Sequence, residues 1–162
     1  MLHAPPSDRE PQRPSSGSAA LPSPGANAHP SEGPTPARDA LAGRRIGLIC
    51  KAPQAPAAAL FIEAAESLGA QVAVLHATDV VDAWGAQQDR LVRMLSRLYD
   101  VIECQDLPPG AVRRIAEQVA VPVLANLGAC ALEEGGAPAP EPGTPGWEQG
   151  LTRVRQALLS AL

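Results

Sequence analysis

Four short apolar runs, at residues 45–50, 71–77, 101–105 and 121–127, alternate with segments whose apolar residues recur every three or four positions. That alternation constrains the fold more than any other feature of the chain. Short runs rich in Val, Ile and Leu read as strands, and RIGLIC at 45–50 reads as one buried on both faces. After it, Ala57, Leu60, Phe61, Ala64 and Leu68 share one face of a helix that Pro56 opens and Gly69 stops. A loop over 78–88 leads to a second helix, striped by Leu91, Met94, Leu95 and Leu98. Pro108 and Pro109 open a third, with Val112, Ile115, Ala116 and Val119 on one side. A β-α-β-α-β-α-β order with short connections calls for a parallel sheet, helices on both faces and right-handed crossovers. The expected class is therefore α/β, a three-layer α/β/α arrangement on a four-stranded parallel sheet. Pro122 cannot donate to a ladder, which puts the fourth strand at a sheet edge.

The rest of the chain is organised differently. Half of its 18 prolines fall in residues 1–40, with many Ser, Ala and Gly and few large apolar residues. Such a segment buries too little surface to offset its ordering entropy, so 1–40 is expected to be a disordered tail. The compact domain is then 41–130, small but large enough for a core. A second Pro/Gly-rich stretch, 131–146, reads as a linker. Beyond it Trp147, Leu151, Val154, Leu158 and Leu162 are spaced for one face of an amphipathic helix at 147–162, which needs a surface to cover.

Charge excludes some functions. The net charge is −4 and basic residues are scattered along the sequence, which argues against nucleic acid or a membrane surface as partner. No stretch approaches transmembrane length and residues near the start form no signal-like apolar run, so a cytoplasmic protein is expected. Three cysteines, Cys50, Cys104 and Cys130, are an odd number without metal-ligand spacing, and free thiols are the expectation.

Four segments in order resemble the aspartate/ornithine carbamoyltransferase family. The first is IGLICKAPQ, followed by Phe61-Ile62-Glu63 and Ser67-Leu68-Gly69-Ala70, which look like the family's first strand and the helix after its phosphate loop. Leu95-Ser96-Arg97-Leu98-Tyr99-Asp100-Val101-Ile102 is similar to the family's Leu-Ser/Gly-Arg-Met-Tyr-Asp-Ala-Ile, and its Tyr-Asp pair leans toward the ornithine type. Val121-Pro122-Val123-Leu124-Ala125-Asn126 resembles Val-Pro-Val-Ile-Asn-Ala. Gln156-Ala157-Leu158-Leu159 resembles the helix that closes such enzymes. The resemblance implies strand order 2-1-3-4 and a carbamoyl-phosphate-binding half-enzyme. The second domain, with its amino-acid site, would be missing, and 131–146 would span the gap. It also implies trimers, and so a homo-oligomer or association with an active carbamoyltransferase.

Carbamoyl transfer needs a site that holds a phosphate dianion and stabilises charge growing on the carbonyl oxygen. The family supplies arginines and a histidine for this. Here its Ser-Thr-Arg-Thr-Arg loop aligns with Ala55-Pro56-Ala57-Ala58-Ala59, and its third arginine aligns with Gln105. No His-Pro-x-Gln follows Asn126, and no histidine follows His76. The loop that would reach a neighbouring subunit reads Asp82-Ala83-Trp84-Gly85-Ala86 and carries no basic residue. Lys51, Ala55, Ala57, Ala58 and Gln105 are therefore expected to be a vestigial anion-binding loop in which Lys51 is the sole cation. A flexible ammonium lacks the bidentate grip of Arg. No catalytic residue, no metal site and no cofactor are expected, and the domain would serve as a binding or assembly module.

Other readings stay open from the residues alone. Lys51 reads as a solvated loop lysine rather than a residual anion site. Cys50 and Cys104 end neighbouring strands in that order, either as crevice thiols or as small buried hydrophobes. His76 reads as structural, and Trp84 as a local packing group or a subunit contact. Glu63 and Glu66 suit a solvated helix face, as do Arg113, Arg114 and Glu117, and Glu103 suits a local cap or pair. A Rossmann-like small-molecule-binding protein or enzyme of another class is the alternative, although no Gly-x-Gly-x-x-Gly or P-loop is present. A decayed reading frame is a third.

Overall fold

The computed structural model describes residues 38–81, 86–133 and 138–162. Residues 1–37, most of the expected tail, lie outside them, as do Trp84 and residues 134–137 of the expected linker.

Four parallel strands form one sheet in the order β2-β1-β3-β4: β1 Arg45–Cys50, β2 Gln71–His76, β3 Val101–Gln105 and β4 Val123–Ala125. Helices α1 Pro56–Ser67, α2 Ala77–Val81, α3 Ala86–Leu98, α4 Pro109–Gln118, α5 Leu127–Glu133 and α6 Pro145–Ala161 cover it. Alternation along β1 divides the core. Ile46, Leu48 and Cys50 face one side with Leu60, Phe61 and Ala64 of α1, Leu132 of α5 and Leu151, Val154 and Leu158 of α6. Ile49 faces the other, with Val80, Leu95, Ile102, Cys104, Ala111 and Ile115 from α2, α3, β3 and α4. The result is the three-layer α/β/α arrangement that the sequence calls for. β1 and β3 are central, so their residues are buried from Ile46 to Cys50 and from Val101 to Gln105. β4 lies at an edge, where Pro122 needs no partner for the N–H it lacks.

Several boundaries differ from the sequence reading. β4 is three residues rather than seven, because Pro122 delays its start and Asn126 turns away with φ +56°. Part of the stretch read as a loop after β2 is helical, as α2. The expected linker does not begin at 131, since α5 continues to Glu133 with Ala131 and Leu132 buried. Its Gly-Ala-Cys-Ala composition looks like a loop but serves close packing. A Cβ on Gly128 would overlap the Ala57 carbonyl.

The last helix has its surface. Thr144 caps α6 by accepting from the Trp147 N–H, and Pro145 occupies its first turn. Trp147 is 2% exposed, and its indole Nε1–H donates to Glu63 Oε2 at 2.8 Å. Glu63 is thus an anchor for α6 rather than only a solvated carboxylate. Arg155 Nε donates to Ser67 Oγ at 2.7 Å, at the far end of α1. Between these points Gly150 lets α6 approach Leu60, whose Cδ2 lies 3.0 Å from where a Cβ would stand.

Candidate functional site

In an open α/β sheet the crevice lies beyond the carboxyl ends of the strands where the order reverses. With order β2-β1-β3-β4 this point falls between β1 and β3. An open cleft of about 560 Å³ occupies it, lined from β1 by Cys50 and Lys51, from α1 by Pro56 and Ala57, from β3 by Gln105, and from α5 by Cys130 and Glu133. Residues that sequence reasoning grouped as the vestigial anion loop therefore do come together, with one exception. Lys51, Ala55, Ala57 and Gln105 line the cleft, whereas Ala58 turns inward and is fully buried in the core behind it.

The floor is shaped by backbone. Asp106 and Asn126 both adopt left-handed conformations, with φ +56° each, which Asp and Asn tolerate better than other side chains. Asn126 Oδ1 accepts from the Asp106 N–H at 2.8 Å and from Gln105 Nε2 at 3.4 Å, and its own N–H donates to the Cys104 carbonyl at 2.9 Å. It ties the ends of β3 and β4 together. At the opposite wall α1 begins with Ala55 as N-cap, which supplies no side-chain cap, and Pro56, which has no N–H.

Electrostatically the cleft is poor in cations. Among the described residues that line it, Lys51 is the one cation, Asp106 and Glu133 are acidic, and no arginine or histidine is present. The arginines elsewhere point to other tasks. Arg90, Arg93 and Arg97 share an outer face of α3 with Met94 and Leu98. Arg113 pairs with Glu117 at 3.7 Å on the surface, and Arg153 donates to the Ala131 carbonyl at 3.0 Å. His76 is exposed at the end of β2. Among the described residues no group of three His, Cys, Asp or Glu side chains could hold a metal ion.

One buried group was not legible as such in the sequence. Glu103 in β3 is 0% exposed. Its Oε1 accepts from the Leu127 N–H, the first of α5, at 2.9 Å. Its Oε2 and the Oε1 of Gln105 are buried without a partner. Burial pushes the Glu103 carboxyl up to about 8, against a smaller opposite pull from the Leu127 N–H. Burial, and then the neighbouring Glu103, raises the Cys104 thiol to about 12, and burial also raises Cys50. Cys50 pairs in register with Gln105 and Ile49 with Cys104, so the two thiols point to opposite faces of the sheet. Both are buried, Cys50 at the edge of the cleft that it helps to line and Cys104 in the core on the other face, and Cys130 is the exposed thiol. The hint for Glu103 was its inward place in VIECQ, where an acidic residue stands in a short run flanked by Ile102 and Cys104.

No protein-family model and no curated relative matches the chain. Solved structures do. Ornithine carbamoyltransferase from Pyrococcus furiosus is 22% identical over 60% of this chain and 34% of that one, with a TM-score of 0.48. The catalytic subunit of aspartate transcarbamoylase from M. jannaschii is 22% identical over 54% of this chain and 29% of its own, at TM-score 0.44. A second structure of that subunit is 17% identical over 79% of this chain and 47% of its own, at TM-score 0.45. These proteins belong to the family that the four sequence segments resemble, and this chain spans less than half the length of each.

Proposed function

We propose that the chain is a carbamoyl-phosphate-binding-type domain that has lost its catalytic cations and acts as a binding or assembly module. The observation that carries this is the composition of the cleft, with Lys51 the one cation beside Asp106 and Glu133 and no guanidinium or imidazole among its described lining residues. A phosphate dianion placed there meets one flexible ammonium and two carboxylates. No guanidinium or imidazole among the described lining residues stabilises an oxyanion at the carbonyl. Loss of a single oxyanion donor costs on the order of 3 kcal/mol, a hundredfold or more in rate. Several losses together leave turnover below detection even if they are not additive.

The purified full chain, given carbamoyl phosphate with ornithine or with aspartate, is expected to form neither citrulline nor carbamoyl aspartate above the blank. Product that disappears on Lys51→Ala would overturn the reading. The assembly role draws support from exposed apolar side chains on α3, where Met94 is 45% and Leu98 42% exposed beside three arginines. Light scattering should report a mass above the monomer. A strict monomer that also ignores an active carbamoyltransferase would remove the assembly half.

The roomy cleft at the switch point also favours a second reading, a Rossmann-like binder of a small molecule that is not a dianion. A thermal-shift screen separates the two. A rise of several degrees with a neutral or cationic metabolite, and none with carbamoyl phosphate, would favour this second reading.

A further inference from the structure

We propose that Glu103 is a proton-controlled latch on the wall of the cleft: as a neutral acid it holds α5 in place, and as a carboxylate it releases α5. The inference concerns the regulation of the same cleft and stands whatever ligand that cleft takes.

The geometry of β3 carries it. Glu103 and Gln105 are two residues apart on one strand, so both side chains stand on the face that α5 covers. Glu103 Oε1 is occupied by the Leu127 N–H, while Glu103 Oε2 and Gln105 Oε1 are two buried oxygens without a donor. Two acceptors cannot satisfy each other. A proton on Oε2 converts one of them into a donor and leaves the Leu127 hydrogen bond intact. The neutral acid is thus the form that this site accommodates.

Beyond the Leu127 N–H, the described surroundings offer the ionised form no donor and no cation. Across the sheet Glu103 stands in register with Leu48 of β1 and Leu124 of β4. The titratable group on the same face of β1 is Cys50, a buried thiol with a raised pKa. Cys104 projects to the opposite face. α1 contributes apolar residues, Leu60, Phe61 and Ala64 among them. α5 adds Ala131 and Leu132 inside, with Cys130 and Glu133 exposed. Arg153 of α6 reaches the Ala131 carbonyl, well along α5 from Leu127. Lys51 and Asp106 are exposed at the strand ends. What shifts the carboxyl is burial first and the Leu127 N–H second, with no cation among the causes.

A buried carboxylate with one hydrogen bond and no cation is a strongly disfavoured state. The cheapest escape is local. α5 is only seven residues long and joins the core through Ala131 and Leu132, with Leu127 packed beside them and Gly128 against Ala57. Lifting it admits water to both oxygens while the sheet and α1 stay folded. Because α5 supplies Ala129, Cys130, Leu132 and Glu133 to the cleft, release removes that wall. Lifting α5 exposes the carboxyl, whose ordinary pKa is 4.5, so release becomes easier from about pH 4.5 up to about 8 and levels off above it.

The test is hydrogen exchange by mass spectrometry on the full chain between about pH 6 and 9.5, corrected for the intrinsic base-catalysed rate. Amides of α5 should lose protection about tenfold per pH unit from about pH 6 up to about 8, as expected for release of one proton on opening, and should level off above it. Amides of α1 should not follow. Glu103→Gln keeps an acceptor for Leu127 and cannot ionise, so its α5 protection should stay flat. Flat protection in the unaltered chain, or a parallel fall in Glu103→Gln, would overturn the latch. If that variant does not fold, carbon NMR of the Glu103 carboxyl in the unaltered chain decides: a titration step at the pH where the fall in α5 protection ends supports the latch, and a carboxyl already ionised at pH 6 refutes it.

Discussion

Replacing Trp147 probes whether α6 completes the domain. The side chain is 2% exposed and packs in the core shared by β1, α1 and α5, and its Nε1–H meets Glu63 Oε2 at 2.8 Å. Trp147→Ala removes the whole ring and leaves a cavity under α6, a change that typically costs about 3–5 kcal/mol. Trp147→Phe retains most of the apolar volume and loses the hydrogen bond. Glu63 is exposed and can turn to water, so this loss should be only about 1 kcal/mol, plus a small repacking cost. The ordering should therefore be unaltered, Phe, Ala, with the larger gap between Phe and Ala. Small domains hold about 5–15 kcal/mol in all, so the Ala variant should lose a large share of its stability. Urea unfolding followed by far-UV circular dichroism measures this without relying on tryptophan fluorescence, which the substitution itself alters. A loss below about 1 kcal/mol for Trp147→Ala would refute the reasoning, since a fully buried indole cannot be deleted from a docked helix at so little cost.

Three further outcomes follow from other parts of the fold. Gly128→Ala places a methyl group on the Ala57 carbonyl, so α5 must move off α1; denaturant titration should show a loss of about 1–3 kcal/mol, concentrated in α5 amide protection. Asn126→Ala removes the acceptor for the Asp106 N–H and strains a backbone at φ +56°, whereas Asn126→Gly removes only the acceptor, so melting curves should place Gly above Ala. Glu103 binds its proton more tightly in the folded chain than in the unfolded one, with a pKa raised from 4.5 to about 8, so its contribution is fully present below about pH 4.5. Stability should fall by roughly 1.4 kcal/mol per pH unit as pH rises from there through 8, no further than the cost of freeing α5, and unfolding titrations of the unaltered chain against Glu103→Gln should isolate this slope.

Periodicity made the layered sheet legible, and the reason is physical. β1 and β3 are buried on both faces and so read as continuous apolar runs, while α1 shows its single buried face in Leu60, Phe61, Ala64 and Leu68. α5 escaped the same reading because it has no repeating stripe of large residues; small side chains suit its close approach to Ala57, and composition alone makes Gly-Ala-Cys look like a loop. Lys51, Ala55, Ala57 and Gln105 could be placed at the crevice from strand order, but the inward turn of Ala58 depends on the phase of α1. Asn126, Asp106 and Glu133 were not recognisable as cleft residues, since their roles arise from contacts across twenty or more positions or from the unforeseen helix. Glu103 is the clearest case. A sequence shows an acid in a strand, and only packing shows that no cation comes to meet it.

Whether the cleft can hold a phosphate dianion is tested most directly by calorimetric titration of the full chain with carbamoyl phosphate, and separately with inorganic phosphate. With Lys51 the one cation among described lining residues that also include Asp106 and Glu133, the predicted result is no saturable heat, meaning affinity weaker than about 1 mM. Saturable micromolar binding of carbamoyl phosphate, weakened by Lys51→Ala, would contradict it.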